Sequence, residues 1–342
     1  MTELFDKAKY DALEHFLTNT EHAVIVSHIN PDGDAIGSSL GLACLLRQRV
    51  KKVSVVMPNR FPSFLEWIEG ASDISIYSEA KNKATELIRS ADLVFCLDFN
   101  HLNRIEELGL LIAETSAPRI LIDHHLNPAD EFSLQFSHVP ISSTSELVYR
   151  ISAAISNSTI IPKAAAEAIY CGIMTDTGSF AHSSSDPELF RIVANLLECG
   201  IDKDKISHRV YNNFTADRMK LLGYSLNEKM VVLPKYKTAY ISLTQNELKQ
   251  FNFQPGDTEG FVNLPLSIKG VILSIFLVES AGFVKLSIRT QGNFSANDLS
   301  NKYFNGGGHK NAAGGKLFCS ITEAVEFVNS ILPKYEKELQ LL

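Results

Sequence analysis

The stretch Val26–Gly41, VSHINPDGDAIGSSLG, places one histidine and two aspartates at the end of an apolar run and then continues into small residues. The run before it, AVIVS at 23–27, is β-branched and almost unbroken, the composition of a strand buried on both faces. Pro31 and Gly33 shape a loop in which Asp32 and Asp34 can both turn back toward the strand end, where His28 already stands. The small residues that follow suit a helix in close contact with its neighbours. A strand, a ligand-bearing loop and a helix form the repeating unit of an α/β sheet.

Working outward, three more runs have the same character: VSVVM at 53–57, LVFCL at 93–97 and RILI at 119–122. The segments 35–49, 84–90 and 143–156 between and after them are long enough for helices, so residues up to about 190 read as a parallel sheet with helices on both faces. Polar residues cluster where the runs end. LVFCL ends in Asp98, and RILI ends in Asp123-His124-His125. Ligands of open parallel sheets bind outside the carboxyl ends of the strands. One aspartate after a strand is commonly only a turn or a helix cap. Three strands ending in carboxylates and imidazoles predict one shared site. Asp176, after AIYCGIMT, is a weaker fourth contributor by pattern.

Four converging carboxylates would repel one another. At an effective dielectric near 20, a pair about 5 Å apart costs roughly 3 kcal/mol, so cations are expected among them. Mixed carboxylate and imidazole ligation favours Mn²⁺ or a similar ion over a thiolate zinc site. Two such ions would activate water for attack on phosphorus. The rival motif GSSLG at 37–41 fits the serine-hydrolase elbow, but Ser39 falls inside the expected helix and not on a strand-to-helix turn. Gly37 and Gly41 are read as letting that helix pack closely on the sheet. No GK[ST] follows a glycine-rich segment, which excludes a P-loop.

From 191 to 228 the sequence becomes polar and helical and reads as a connector. A second domain, 229–342, carries strands TAYISL (238–243), GVILSIFLVES (270–280) and FVKLSIRT (283–290), the last two joined as a hairpin at Ala281-Gly282. Helices are expected over 295–304 and 320–338, separated by the glycine cluster NGGGHKNAAGG. That cluster is either a plain turn or a concavity of amides that could take an anion, and Arg289 could supply a bidentate phosphate contact.

The formal net charge of −7, from 32 basic and 39 acidic residues, excludes a broad nucleic-acid footprint and restricts such partners to short ones. No apolar run reaches the roughly 18 residues of a membrane span. The N-terminal MTELFDKAKYDALEHF has acidic residues where a signal peptide needs basic and then apolar ones. Five scattered cysteines read as reduced residues of a cytoplasmic protein.

SHINPDGDAIGSSLGL, LDFNHLNR, LIDHH and GIMTDTGSF resemble, in order, the four motifs of the DHH phosphoesterases, and SIRT with GGGHKNAAGG resembles the associated DHHA1 domain. The resemblance implies an α/β fold: a parallel-sheet DHH domain over 1–190, a helical linker over 191–228, and a smaller α/β DHHA1 domain over 229–342, with the active site in the cleft between the domains. It implies that His28, Asp32 and Asp98 bind one metal ion and that Asp34, Asp98, His124 and Asp176 bind a second, with Asp98 as the bridge. Asp123 would orient the DHH histidines, and His125 would contact the scissile phosphate. Arg104, Arg289, Gly307, Gly308 and His309 would hold the rest of a nucleotide. Asn305 stands where the family has a glycine and Thr290 where it has a serine; asparagine tolerates a left-handed backbone, so the loop can keep its shape.

The size of the chain is similar to the branch of the family that joins 3′–5′ oligoribonuclease with pAp phosphatase activity. The expected substrates are therefore RNAs of two to five nucleotides and pAp, with no long nucleic acid and no membrane, and a homodimer as an open alternative to the monomer. Linear or cyclic dinucleotides, polyphosphate and pyrophosphate are the alternative substrates. A nucleotide-binding sensor without catalysis is the alternative outside enzymes. His15, His22, His138 and His208 are expected on the surface or in packing, and His101 and His182, which follow metal motifs, could line the cleft.

Overall fold

Four continuous apolar runs stand side by side in the first of two units. The structure is a computed structural model that describes residues 4–340, and the chain divides between Asn213 and Phe214. The outermost positions of the expected domain spans, 1–3 and 341–342, lie outside the described residues.

The first unit runs α1 (Lys7–Thr18), β1 (His22–Ser27), α2 (Gly33–Leu46), β2 (Lys52–Met57), β3 (Ser75–Ile76), α3 (Lys81–Arg89), β4 (Leu93–Leu97), α4 (Glu106–Ala113), β5 (Arg119–Asp123), β6 (Leu134–Ser137), α5 (Thr144–Ser156), α6 (Lys163–Asp176), α7 (Pro187–Glu198) and α8 (Lys203–Tyr211). All six strands are parallel, in the order β3-β2-β1-β4-β5-β6. β1 and β4 are fully buried, which explains why their sequences do not alternate. The order reverses direction between β1 and β4, and a crevice opens at such a switch point outside the strand ends.

Helices α7 and α8 come from the polar stretch expected as a connector. They pack into the first unit's core through Leu189, Ile192 and Leu196 and through Ile206 and Val210. Each fully buried aliphatic side chain of this kind contributes about 1.5–3 kcal/mol, enough to hold a helix whose other face is charged.

The second unit contains α9 (Ala216–Tyr224), β7 (Met230–Leu233), β8 (Thr238–Leu243), α10 (Gln245–Gln250), β9 (Leu273–Ser280), β10 (Phe283–Thr290), α11 (Ala296–Tyr303), β11 (Gly307–Gly308), β12 (Ala312–Leu317), α12 (Ile321–Ile331) and α13 (Glu336–Gln340). Its sheet has the order β11-β12-β10-β9-β8-β7 and is antiparallel except for the β8–β9 pair. The hairpin at Ala281-Gly282 is present, with Phe283 paired to Ser280. The glycine cluster is not a plain turn. Residues 307–308 and 312–317 form a hairpin whose second strand pairs with β10. Glycine-rich segments have little strand preference of their own, so this pairing is imposed by the neighbouring strand.

Candidate functional site

The loop after β1 is organised by Asp32, which caps α2: its Oδ1 accepts from the amides of Asp34 and Ala35, each at 3.0 Å. Asp34 then lies in the first turn of α2 and is buried. At the end of β4, Asp98 adopts a left-handed backbone with φ of 62°. Such a conformation costs a non-glycine residue on the order of 1–3 kcal/mol and recurs where function dictates geometry. β5 ends in Asp123, followed by His124 and His125, and Asp176 is the last residue of α6.

These residues converge in two donor groups that share Asp98. His28 Nε2 lies 3.3 Å from Asp98 Oδ2 and 3.8 Å from Asp32 Oδ1. His124 Nε2 lies 3.5 Å from Asp98 Oδ1, 3.5 Å from Asp176 Oδ2 and 3.9 Å from Asp34 Oδ2. Most of these separations are long for hydrogen bonds. Ligands about 2.1 Å from a common ion stand about 3.0 Å apart in an octahedron and about 3.4 Å apart in a tetrahedron, so the three shorter separations lie near the edges of coordination polyhedra and the two longer ones exceed them. Each oxygen of Asp98 faces a different group. The donor set of carboxylates and imidazoles, with no thiolate, fits divalent ions of the Mn²⁺ class.

The histidines are aimed by their other nitrogens. His28 Nδ1 bonds the carbonyl of Ile29 at 2.9 Å, and His124 Nδ1 approaches the carbonyl of Ile141 at 3.5 Å, which turns each Nε2 toward the carboxylates. His125 Nδ1 bonds Asp123 Oδ1 at 2.7 Å, so Nε2 is the nitrogen directed away from that carboxylate. Asp123 is buried, and its Oδ2 has no hydrogen-bond partner among the described residues.

Sequence reasoning did not pick out Thr144 and Ser145. Their backbone amides, at the N-terminus of α5, donate to the two oxygens of Asp34 at 2.7 and 2.9 Å, and the Thr144 hydroxyl donates to Asp98 Oδ1 at 3.0 Å. The available signal was SSTSE at 142–146, a helix start whose open amides suit an anion. Below it, buried Arg150 grips Glu146 with Nε at 2.8 Å.

The glycines of α2 face α6 and not the sheet, contrary to expectation. A Cβ at Gly37 would meet the carbonyl of Ala168 at 2.5 Å, and one at Gly172 would meet Ser145 Oγ at 1.9 Å and Asp34 Oδ1 at 2.9 Å. This close helix contact is what carries Asp176 to the strand ends.

Electrostatics record the crowding of charge. Burial opposes protonation of His28 and His124, yet the surrounding aspartates raise both well above the ordinary imidazole range. Burial also opposes ionisation of Asp98, but the imidazoles of His124 and His28 hold it well below the usual carboxylate range. Burial and the charges of Asp98 and Asp176 push Asp34 well up. Burial raises Asp176 to about 6, with His124 partly opposing.

Arg104 lies in a short 3-10 turn after β4, half-buried and in no ion pair among the described residues. In the second unit, Arg289 is on β10, Gly307 and Gly308 form β11, and His309 follows. The amides of Gly308 and His309 do not form the open concavity that is one of the two readings of this cluster. The Gly308 N–H donates to Asn297 Oδ1 at 2.9 Å and the His309 N–H to the carbonyl of Ala312 at 2.7 Å, so both amides are committed within the unit. Asn305 takes the left-handed conformation that its replacement of glycine demands, at φ 46°. The Thr290 hydroxyl ties the adjacent loop to the carbonyl of Phe294 at 2.8 Å.

With this fold and site established, the comparisons with known proteins agree. The DHH family N-terminal domain matches residues 22–173, and the DHHA1 domain matches 234–334. The chain belongs to the DHH family of phosphoesterases. It is 30% identical over 300 residues, covering 86% of this chain and 83% of the other, to the bifunctional oligoribonuclease and PAP phosphatase of Thermus thermophilus. It is 25% identical over 299 residues to the protein of that description from Bacillus subtilis, covering 86% and 89%. An exopolyphosphatase-related protein from Bacteroides fragilis, solved by crystallography, is 45% identical and superposes with a TM-score of 0.94 over 99% of this chain and 100% of its own.

Proposed function

We propose that this hydrolase cleaves short oligoribonucleotides to mononucleotides and removes the 3′-phosphate of pAp, using two divalent ions, with Mn²⁺ favoured. The observation that carries the reading is the position of Asp98, with one oxygen toward His28 and Asp32 and the other toward His124, Asp34 and Asp176. His28, Asp32 and Asp98 would hold one ion, and Asp34, Asp98, His124 and Asp176 the other. When bound, such a pair supplies a water nucleophile at neutral pH and neutralises charge on a phosphoryl group.

The chain's own residues do the rest. Asp123 Oδ1 keeps the proton of His125 on Nδ1 and presents Nε2 toward the scissile phosphate and its leaving oxygen. Arg104 and Arg289 bind further phosphate oxygens, and Gly307, Gly308 and His309 border the nucleotide beside Arg289. A substrate with few phosphates suits an acidic chain without a broad basic surface. Five unpaired cysteines support a reducing, cytoplasmic setting.

Phosphate and nucleotide release with Mn²⁺ tests the reading across pAp, pApA, a short and a long RNA, cyclic di-AMP, pyrophosphate and polyphosphate. Turnover of pAp and short RNA, lost in Asp98→Ala, is expected. The likeness to an exopolyphosphatase-related protein favours one second reading. Turnover confined to polyphosphate would select it and remove the nucleotide assignment.

A further inference from the structure

We propose that the buried pair Glu146–Arg150 on α5 is a positioning device for one of the two donor groups. It holds the segment Ile141–Ser145 against His124, Asp34 and Asp98, and so sets the affinity for the ion of that group and not for the other. The proposal rests on the two-ion reading above and assigns a role to residues outside both donor groups.

The segment meets three members of the group formed by Asp34, Asp98, His124 and Asp176. The Ile141 carbonyl faces His124 Nδ1 at 3.5 Å. The amides of Thr144 and Ser145 donate to Asp34 Oδ2 and Oδ1 at 2.7 and 2.9 Å, and the Thr144 hydroxyl donates to Asp98 Oδ1 at 3.0 Å. The group of His28 and Asp32 has other anchors. His28 is turned by the Ile29 carbonyl, Asp32 accepts from the amides of Asp34 and Ala35, and Asp98 turns its other oxygen, Oδ2, toward His28. A shift of the segment therefore acts on one group and leaves the anchors of the other in place.

Ser142 lies between the residues that make these contacts, and Glu146 grips it. The Ser142 amide and hydroxyl both donate to Glu146 Oε2, at 3.2 and 2.6 Å. On the other side, Arg150 donates to Glu146 Oε1 from Nε at 2.8 Å and from an Nη nitrogen at 2.5 Å. The Ser143 hydroxyl oxygen caps α5 by accepting from the Glu146 amide at 3.1 Å. In a capping box the glutamate reaches back to the amide of the cap residue itself. Here it reaches one residue further, and it does so at 1% exposure, with Arg150 at 5%.

Every group around this carboxylate is a donor, so both of its oxygens must accept. A glutamine could accept from Ser142 or from Arg150, but not from both. Stability alone gives little account of the pair, because buried ion pairs are often matched by apolar residues of similar volume. An apolar pair could not fix the amide and hydroxyl of Ser142 in one position. Arg150 also meets Asp186 Oδ2 at 3.3 Å, but the Asp186 side chain is 58% exposed, and such pairs are weak. Glu146 is the partner that matters.

The test titrates the full chain with Mn²⁺ by calorimetry at fixed pH. It compares wild type, Glu146→Gln, the double variant Glu146→Leu with Arg150→Met, and Asp186→Asn, which keeps a capping side chain on α7. Wild type is expected to take up two ions. In Glu146→Gln and the double variant one ion should bind about 10–100-fold more weakly, the scale for groups that orient metal ligands, while the other stays within about threefold. Excess Mn²⁺ should restore kcat in both. Asp186→Asn should match wild type. Metal-free thermal unfolding of the double variant close to that of wild type separates positioning from a damaged fold. If the double variant did not fold, Glu146→Gln would carry the same comparison. Equal weakening of both ions, or of neither, overturns the proposal. If wild type bound fewer than two ions, the two-ion reading would fail separately. Metal-free crystal structures of wild type and Glu146→Gln would still decide the positioning role: displacement of Asp34 and the Thr144 hydroxyl with His28 and Asp32 unmoved supports it, and no displacement overturns it.

Discussion

The hydroxyl of Thr144 donates to Oδ1 of Asp98 across 3.0 Å, while the amide of the same residue donates to Oδ2 of Asp34 at 2.7 Å. One residue at the start of α5 thus orients carboxylates delivered by α2 and by the end of β4. Groups that orient metal ligands commonly account for a 10–100-fold change in affinity or activity. Thr144→Val, which keeps the amide and the shape, is expected to lower Mn²⁺-dependent kcat/KM by about that factor, with the far-ultraviolet dichroism unchanged.

The shared carboxylate should couple metal binding to stability. Ligand binding to the native state at about 100 times Kd adds about 2.7 kcal/mol. Differential scanning fluorimetry with and without Mn²⁺ should therefore show an upward shift in Tm for wild type and none for Asp98→Asn. Activity in that variant should fall by about three orders of magnitude or more, because both donor groups lose a member. Chelation of wild type should remove the upward shift, since the bound-state stabilisation is then lost.

Metal affinity should rise with pH. Asp176 is raised to about 6, Asp34 is raised well above 3.8, and His28 and His124 are raised well above 6.5, so protons compete with a metal ion for these groups more strongly than at their ordinary values. The raised histidines stabilise the metal-free protein at pH values below the ordinary imidazole range, and that contribution is lost as pH climbs through their folded values. Calorimetric titration of Mn²⁺ in two buffers of different ionisation enthalpy should report net proton release, with apparent affinity increasing from pH 6 upward. Proton uptake would contradict this ordering.

Gly172 separates the helices that carry Asp34 and Asp176. An added Cβ would collide with Ser145 Oγ at 1.9 Å. Gly172→Ala is expected to destabilise the first unit by about 1–3 kcal/mol, as overpacking does, and to reduce Mn²⁺ affinity by displacing Asp34. Gly223→Ala provides the control: it lies in α9 with nothing within 4 Å, and alanine there should stabilise by about 0.5–1 kcal/mol. Urea unfolding of both variants checks the contrast.

Glu247 reports on the second unit. Burial opposes its charge, yet Lys229, the capping hydroxyl and amide of Thr244, and the Tyr224 hydroxyl lower it to about 2. A depressed carboxylate contributes stability above its unfolded value, near 4.5, and that contribution disappears as pH falls toward 2. Glu247→Gln should lower stability by about 1–2 kcal/mol at pH 7, on the scale of hydrogen bonds to a charged group. Its stability should also decline less steeply than that of wild type between pH 5 and pH 2, by chemical denaturation at fixed temperature.

Much of the site could be read from the residues because each of its parts is local. His28, Asp98 and Asp123-His124-His125 follow continuous apolar runs, and a buried parallel strand can only deliver such residues to its own end. Asp176 was less legible because it closes a helix, and its position depends on how closely α6 approaches α2. Thr144 and Ser145 were missed for a related reason: a helix start looks the same whether its amides face water or a carboxylate from another strand.

The sequence by itself determined the parallel strands, the ligand types and the loop that carries His28, Asp32 and Asp34, because periodicity and side-chain chemistry act within a few residues. Tertiary structure alone decided the rest. It folded the glycine-rich 307–317 segment into a hairpin, took α7 and α8 into the first core, committed the Gly308 and His309 amides, and set Lys285 against Lys316. These outcomes depend on which distant segment supplies a hydrogen-bond partner or an apolar surface, and strand register and helix packing become defined only when the chain has closed on itself.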